Sequence, residues 1–426
     1  MNIKENTKKI IGQQRVDYVK GFIKLLKTWK KHRKKKVEFN EDFIKNYKII
    51  EMKGKNVFCG YYDCFPLSAD KSKILYQTVR KNADTKKDKT EIYCQDLSKN
   101  IKCKISSSDA WCWQQGSRLR WSLKNVKCIY FNDVTQGKYC TKLYDIENRK
   151  TIKKIIPALY DISKDEKFGV SLNFSRLQRL RPGYGYDKLE DDTLNINAPK
   201  DDGLFYVNIS NGEKKLLVSL YSLAKDVDKN FEHEHYINHV CISPESDKIM
   251  YFHLWTDTTW PGWTTRLCIY DIKNNNNLII ENKKIVSHYT WLSNNQIMIT
   301  CADKNSKNVE YRVYNLDNKT SEIINEEKLN EDGHPTDICN SYFISDTYPN
   351  KDCFQYIFIY DYKSNKKQNI IKVLGDPRLV GEHRCDLHPK VDNDTIVFDT
   401  TFKKHKRSII VVKYTKEGIL NGQKDK

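Results

Sequence analysis

The chain has 426 residues, 39% of them hydrophobic and 12% aromatic, enough apolar material for a packed core, which excludes global disorder. Its 74 Lys and Arg against 55 Asp and Glu leave a net charge of +19, the balance of a protein that meets an anionic partner such as nucleic acid, a phospholipid surface or an acidic polysaccharide. Thirteen cysteines without a C-x-x-C pair exclude a zinc ribbon and a small disulfide scaffold. With no leading apolar run and no stretch of membrane-spanning length, a cytoplasmic, thiol-reducing location is expected.

In residues 1–46, Val16, Val19, Phe22, Ile23, Leu26 and Trp29 fall at helical spacing with Lys20, Lys24, Lys27 and Lys30 beside them, and a basic run continues to Lys36. This predicts a basic amphipathic helical extension. It either lies on an anionic membrane surface through residues 16–36 or docks on the main domain with its basic face solvated. No nucleic-acid-binding fold accompanies the charge, so nucleic acid is not expected as a partner.

From residue 47 the period becomes that of strands. Phe65-Pro66-Leu67, a polar turn and Ile74-Leu75-Tyr76 lead to a strand at 91–97. Similar units recur at 121–146, 161–207, 240–272, 291–316, 342–361 and from His388 to Val412. The fourth is the most regular, with a Ser243-Pro244-Glu245-Ser246-Asp247 turn between its first two strands. A four-strand unit repeated roughly every 40–60 residues predicts an all-β, seven-bladed β-propeller over 47–414, followed by a polar tail at 415–426. The stretch 47–58 is expected to complete the last blade.

Of ten histidines, eight lie between His233 and His388. His239, His288 and His388 each stand four or five residues before the turn of their unit, and His334 holds a similar place in the sixth. In a closed ring, such positions converge on one mouth of the channel. The segment Gly381-Glu382-His383-Arg384-Cys385-Asp386-Leu387-His388-Pro389 adds an imidazole and a carboxylate, N and O donors suited to a divalent ion. His239, His288, His334 and His388, joined by His383 and Asp386, are the candidates for holding such an ion. Arg118, Arg176, Arg179 and Arg181, with Trp111 and Trp113, are expected on the opposite rim, where guanidinium forks bind carboxylates and indole faces stack on sugars.

These segments resemble the oligogalacturonate lyase family, manganese-dependent cytoplasmic propellers that cleave uronate oligosaccharides. Ser287-His288-Tyr289-Thr290-Trp291 is similar to the family's segment carrying one metal histidine. Arg384 to Pro389 resembles its Gln-x-x-His-Pro-His-Pro segment, with His388 at the last histidine. His383 stands where the family has glutamine, and Asp386 where it has histidine. His239-Val240-Cys241-Ile242-Ser243-Pro244 is similar to its histidine-led fourth blade. The resemblance narrows the predicted metal ligands to His288, His383, Asp386 and His388 and implies metal-dependent β-elimination on an acidic oligosaccharide or polysaccharide. His239 is then the base with His253 as substitute, Arg176 and Arg179 clamp the carboxylate, and Arg118, Arg266, Trp113 and His334 contact substrate. The alternative is a non-catalytic glycan-binding or scaffold propeller in cell-surface polysaccharide metabolism, peripheral at the cytoplasmic membrane face. A plain protein-interaction propeller is the third reading.

Overall fold

Central strands of the repeat carry unbroken apolar runs such as Ile249-Met250-Tyr251-Phe252, each residue at most 1% exposed. Such strands must be covered on both faces, and stacked blades do this. Burying each of these side chains contributes about 1.5–3 kcal/mol before conformational costs. Outer strands are polar instead, as in Thr320–Ile323, which is exposed throughout. A computed structural model describes residues 13–29, 37–338, 341–402 and 406–415, and its strands form seven antiparallel sheets.

The first blade comprises Lys55–Phe58, Lys73–Arg80, Thr90–Asp96 and Lys102–Ser108. The fourth comprises His235–Ile242, Lys248–Thr256, Trp263–Asp271 and Asn276–Glu281, and the fifth runs from Lys284–Ser293 to Thr320–Ile323. The sixth begins with Thr336–Ile338, and the seventh is built on Lys390–Asp392, Thr395–Thr400 and Ser408–Tyr414.

The ring closes differently from the expectation. Ile44–Ile50 is the outermost strand of the seventh blade, with Tyr47 opposite Val412. Lys55–Phe58 instead opens the first blade as its innermost strand, because Val57 and Phe58 are fully buried there. Phe65 to Leu67 forms no full strand; Leu67 makes a single bridge to Ile74. Strand pairing begins earlier still, at Val37–Phe39, a fifth strand on the sixth blade, with Glu38 opposite Lys372.

The helix α1 (Gln13–Trp29) precedes these strands; Lys30 to Lys36 and the tail from residue 416 lie outside the described residues. In the third blade, a long excursion leaves Phe168–Ser171 and returns at Gly203–Asn208. It carries the short helix α2 (Phe174–Leu180), capped by the Asn173 side chain, and brings Arg181 and Tyr184 toward the channel.

Candidate metal centre

Two local devices turn histidines into the channel. In the fourth blade the strand register slips between Asn238 and Cys241, and the extra residue, His239, takes a left-handed backbone with φ +54°. His388, just before Pro389, is likewise left-handed at φ +46°. Non-glycine residues hold such conformations only where their surroundings enforce them.

His334 and His388 share one anchor. The Asp346 carboxylate accepts from the His334 backbone N–H and from its Nδ1, both at 2.8 Å, while its second oxygen accepts from the His388 N–H at 3.1 Å. Gly333 permits this approach, since a Cβ there would lie 1.9 Å from the Asp346 carbonyl oxygen. His288 has its own anchor: Asp332 meets its Nδ1 at 3.0 Å and also accepts from Thr300 and Ser287. Burial pushes the Asp332 carboxyl up, but His288 and the two hydroxyls outweigh it and hold it well below the carboxylate range. With Nδ1 fixed on a carboxylate, the His288 and His334 rings present Nε2 to the interior, the arrangement that orients histidine ligands, while His388 is held through its backbone N–H.

The Nε2 atoms of His334 and His388 are buried and have no hydrogen-bond partner. Asp386 lies beside them, its Oδ2 3.9 Å from His388 Nε2, and both its oxygens accept from Arg384, at 2.6 and 2.7 Å. Burial raises the Asp386 carboxyl, and Arg384 overrides that effect to keep it ionised below its ordinary range. Donor atoms of His334, Asp386 and His388 all lie within 4.8 Å of one another. Two donors bound to one ion at about 2.1–2.2 Å stand at most roughly 4.4 Å apart, so a small inward shift completes the fit. The His288 ring centre is 3.9 Å from that of His334, making it a fourth candidate.

Burial first, then the neighbouring cations and imidazoles, lowers His239 and His388 far below the ordinary histidine value, and His288 more moderately. These rings are therefore neutral at pH 7, the state that binds metal or accepts a proton. His239 stacks on Tyr61 with ring centres 5.1 Å apart and meets its hydroxyl through Nε2 at 3.5 Å, while its Nδ1 has no partner. Its ring centre is 6.3 Å from that of His288. Tyr61, Tyr62, Tyr184 and Tyr348 surround the group, which is nearly closed to solvent, with His239 the most exposed of the four histidines at 6%.

Several predicted residues stand elsewhere. His383 is not with Asp386 and His388: the 3-10 turn Gly381–His383 directs it outward against Trp113, 5.2 Å between rings, and beside Glu382. Trp113 packs among Phe58, Val79, Ala83 and Trp111 with Arg407 over its ring, leaving no face for a sugar. Arg118 is held bidentately by Asp63 and bonds the Tyr160 carbonyl. Arg176 donates to the carbonyls of His235, Thr193 and Asn197 and to the Thr193 hydroxyl, pinning the third-blade excursion. Arg179 is paired with Asp191 and Glu234. His253 and Arg266 belong to a separate buried chain, where Arg266 donates to His253 Nδ1 at 3.0 Å and His253 Nε2 meets His235 at 2.9 Å. His253 is thus no substitute base.

The sequence reading missed the anchors Asp332 and Asp346 and the tyrosine walls. Only Asp332-Gly333-His334 carried a signal, a carboxylate two residues from a phased histidine. Of the three arginines expected in the third blade, only Arg179 is paired with carboxylates among the described residues; Arg176 is held by backbone, and Arg181 lies over Trp263 at 4.3 Å and near Tyr184.

No protein-family model matches the chain, and no curated protein matches it in sequence. Solved structures do match. An oligogalacturonate lyase in complex with manganese superposes with a TM-score of 0.63 at 10% identity, over 90% of this chain and 98% of that one. An oligogalacturonate lyase from Vibrio parahaemolyticus superposes with a TM-score of 0.59 at 12% identity, over 88% of this chain and 97% of that one. The resemblance read from short motifs thus extends to the whole fold, at low sequence identity.

Proposed function

We propose that His334, His388 and Asp386, with His288 beside them, bind a divalent metal, manganese foremost, and that the protein cleaves uronate-containing oligosaccharides by β-elimination. The observation that carries this reading is the pair of buried, unpartnered imidazole nitrogens facing a buried carboxylate, which left unliganded would cost about 1–3 kcal/mol each. Manganese in the similarly folded lyase structure supports the choice of metal. Held by these residues, a divalent ion would supply the charge that neutralises the uronate carboxylate and acidifies the adjacent C5 proton.

The chain's residues then have distinct tasks. His239, neutral and with Nδ1 unpartnered, takes the C5 proton. The C5–H electrons form the C4–C5 double bond as the C4–O bond breaks, and the departing oxygen takes up a proton. Tyr61, whose hydroxyl burial keeps protonated, stands against His239 as the donor. Arg181 at the mouth binds a sugar carboxylate. The closed state of the histidine group favours a second reading, in which the metal is structural and the propeller binds glycan without cleaving it.

The test compares the wild type with His334→Ala/His388→Ala by elemental analysis after manganese loading, then by the ultraviolet absorbance of unsaturated uronate products. Stoichiometric metal lost in the variant, with product formed only by the wild type, is the expected result. A wild type that takes up no metal would sink the proposal; metal without product would leave the glycan-binding reading in its place.

A further inference from the structure

In most surface helices the apolar stripe faces the core, but α1 is docked the other way round. Gly21 is buried against the segment joining the sixth and seventh blades, where a Cβ would lie 2.3 Å from the Pro377 carbonyl oxygen and 2.8 Å from the Arg378 Cα. Lys24 Nζ, on the same side, donates to the Asn350 carbonyl. Opposite this face, Val19, Phe22, Ile23 and Leu26 form a stripe about 100° wide by helical period. They are exposed by 54, 44, 47 and 53%. Lys20 and Lys27, both exposed, border the stripe, and the sequence continues at once into Lys30-Lys31-His32-Arg33-Lys34-Lys35-Lys36.

We infer that this stripe is a docking element for an anionic phospholipid surface. A bilayer supplies both things the helix presents: an acyl boundary for four adjacent apolar side chains and negative headgroups for the lysines beside them. A soluble helix with the opposite orientation would cover the stripe and leave lysines outside. Here the glycine face makes the protein contact, and among the described residues none covers the apolar one. The docking site also matters for orientation. The groove between α1 and the propeller is lined by Lys20, Gly21 and Lys24 on one side and by Pro349, Arg384 and Cys385 on the other. Arg384 is the residue that holds Asp386, so a membrane-bound protein carries its histidine centre on the face that bears the helix.

Flotation of the full chain with phosphatidylcholine vesicles, with and without about one third phosphatidylglycerol, tests this. The expected result is binding to the anionic vesicles alone, weakened about fivefold when one charge is removed in Lys27→Gln, and reduced at least about tenfold in Phe22→Ser/Leu26→Ser. Because these side chains are exposed, the variants should keep the wild-type melting temperature, which separates lost docking from lost folding. Failure of the folded wild type to bind anionic vesicles overturns the inference, as does equal binding to phosphatidylcholine alone. A concentration-dependent dimer abolished by Phe22→Ser/Leu26→Ser would also overturn it, assigning the stripe to a second copy.

Discussion

Two groups of histidines lie buried in this propeller, and they differ in what their ring nitrogens meet. In the group at the side of the fourth blade, Arg266 Nε–H can only donate, so His253 Nδ1 accepts and its Nε2 carries the proton. That proton goes to His235 Nδ1, and His235 Nε2 in turn donates to Asp228 at 3.1 Å. Each nitrogen has one role, and the chain is complete. In the central group, a carboxylate fixes one nitrogen of His288 and of His334, while Nε2 of His334 and of His388 has no hydrogen-bond partner among the described residues. A satisfied network reads as structure, and an anchored but unfinished one reads as a binding site.

The largest expected effect breaks the satisfied group. His253→Ala leaves Arg266 and His235 without their partner in a fully buried place and should cost about 3–5 kcal/mol in urea unfolding. Manganese uptake by the folded fraction should not change. His388→Ala should reverse the pattern, removing metal at a smaller cost in stability, because its Nε2 has no partner to lose. Equal metal loss in both variants would erase the distinction between the groups.

The side group also carries a pH signature. Burial, only partly offset by Asp228, lowers the pKa of His235 from the ordinary 6.5 to about 4. As pH falls, the unfolded chain binds this proton before the folded one does. Stability present above about pH 6.5 is therefore lost progressively as pH approaches 4. Urea midpoints measured across that range should fall with pH, and a flat profile would contradict the neutral assignment of the chain.

A smaller effect sharpens the comparison at the central group. Asp346→Asn keeps the size of the anchor but removes the charge that orients His334, so manganese affinity should drop about 10- to 100-fold without loss of the site. Titration of the metal-free protein with manganese measures this. An unchanged affinity would mean that Asp346 only braces the backbone N–H groups of His334 and His388.

Much of this architecture is legible in the sequence, for a physical reason. Strand period and polar turns are local properties, so the seven units and the phase of His239, His288, His334 and His388 can be read before any contact is known. What joins those units is not local. The partition of residues 44–58 between the last and first blades depends on pairing across the whole chain, with Ile50 opposite Ile409. His383 and Asp386 look equivalent in sequence, yet a 3-10 turn sends one outward while Arg384 holds the other inward. Arg176 was misread because its partners are backbone carbonyls, which carry no side-chain identity to read.

The smallest predicted effect concerns Arg181 and Arg176, two arginines five residues apart in the same excursion. Arg176 is fully buried and its donors are occupied by backbone, whereas Arg181 lies half-buried between Trp263 and Tyr184 without a carboxylate. Arg181→Lys retains the charge but loses the planar fork that grips a carboxylate at two points, a change worth about 1 kcal/mol. The KM for a uronate oligosaccharide, or its Kd if turnover is absent, should rise several-fold, with metal content and melting temperature unchanged. Arg176→Lys should do the opposite, lowering the melting temperature by loosening residues 190–197 while leaving the ligand constant nearly untouched. If Arg176→Lys instead weakens the ligand and Arg181→Lys does not, the carboxylate is held from the excursion's interior, and the mouth has been assigned to the wrong arginine.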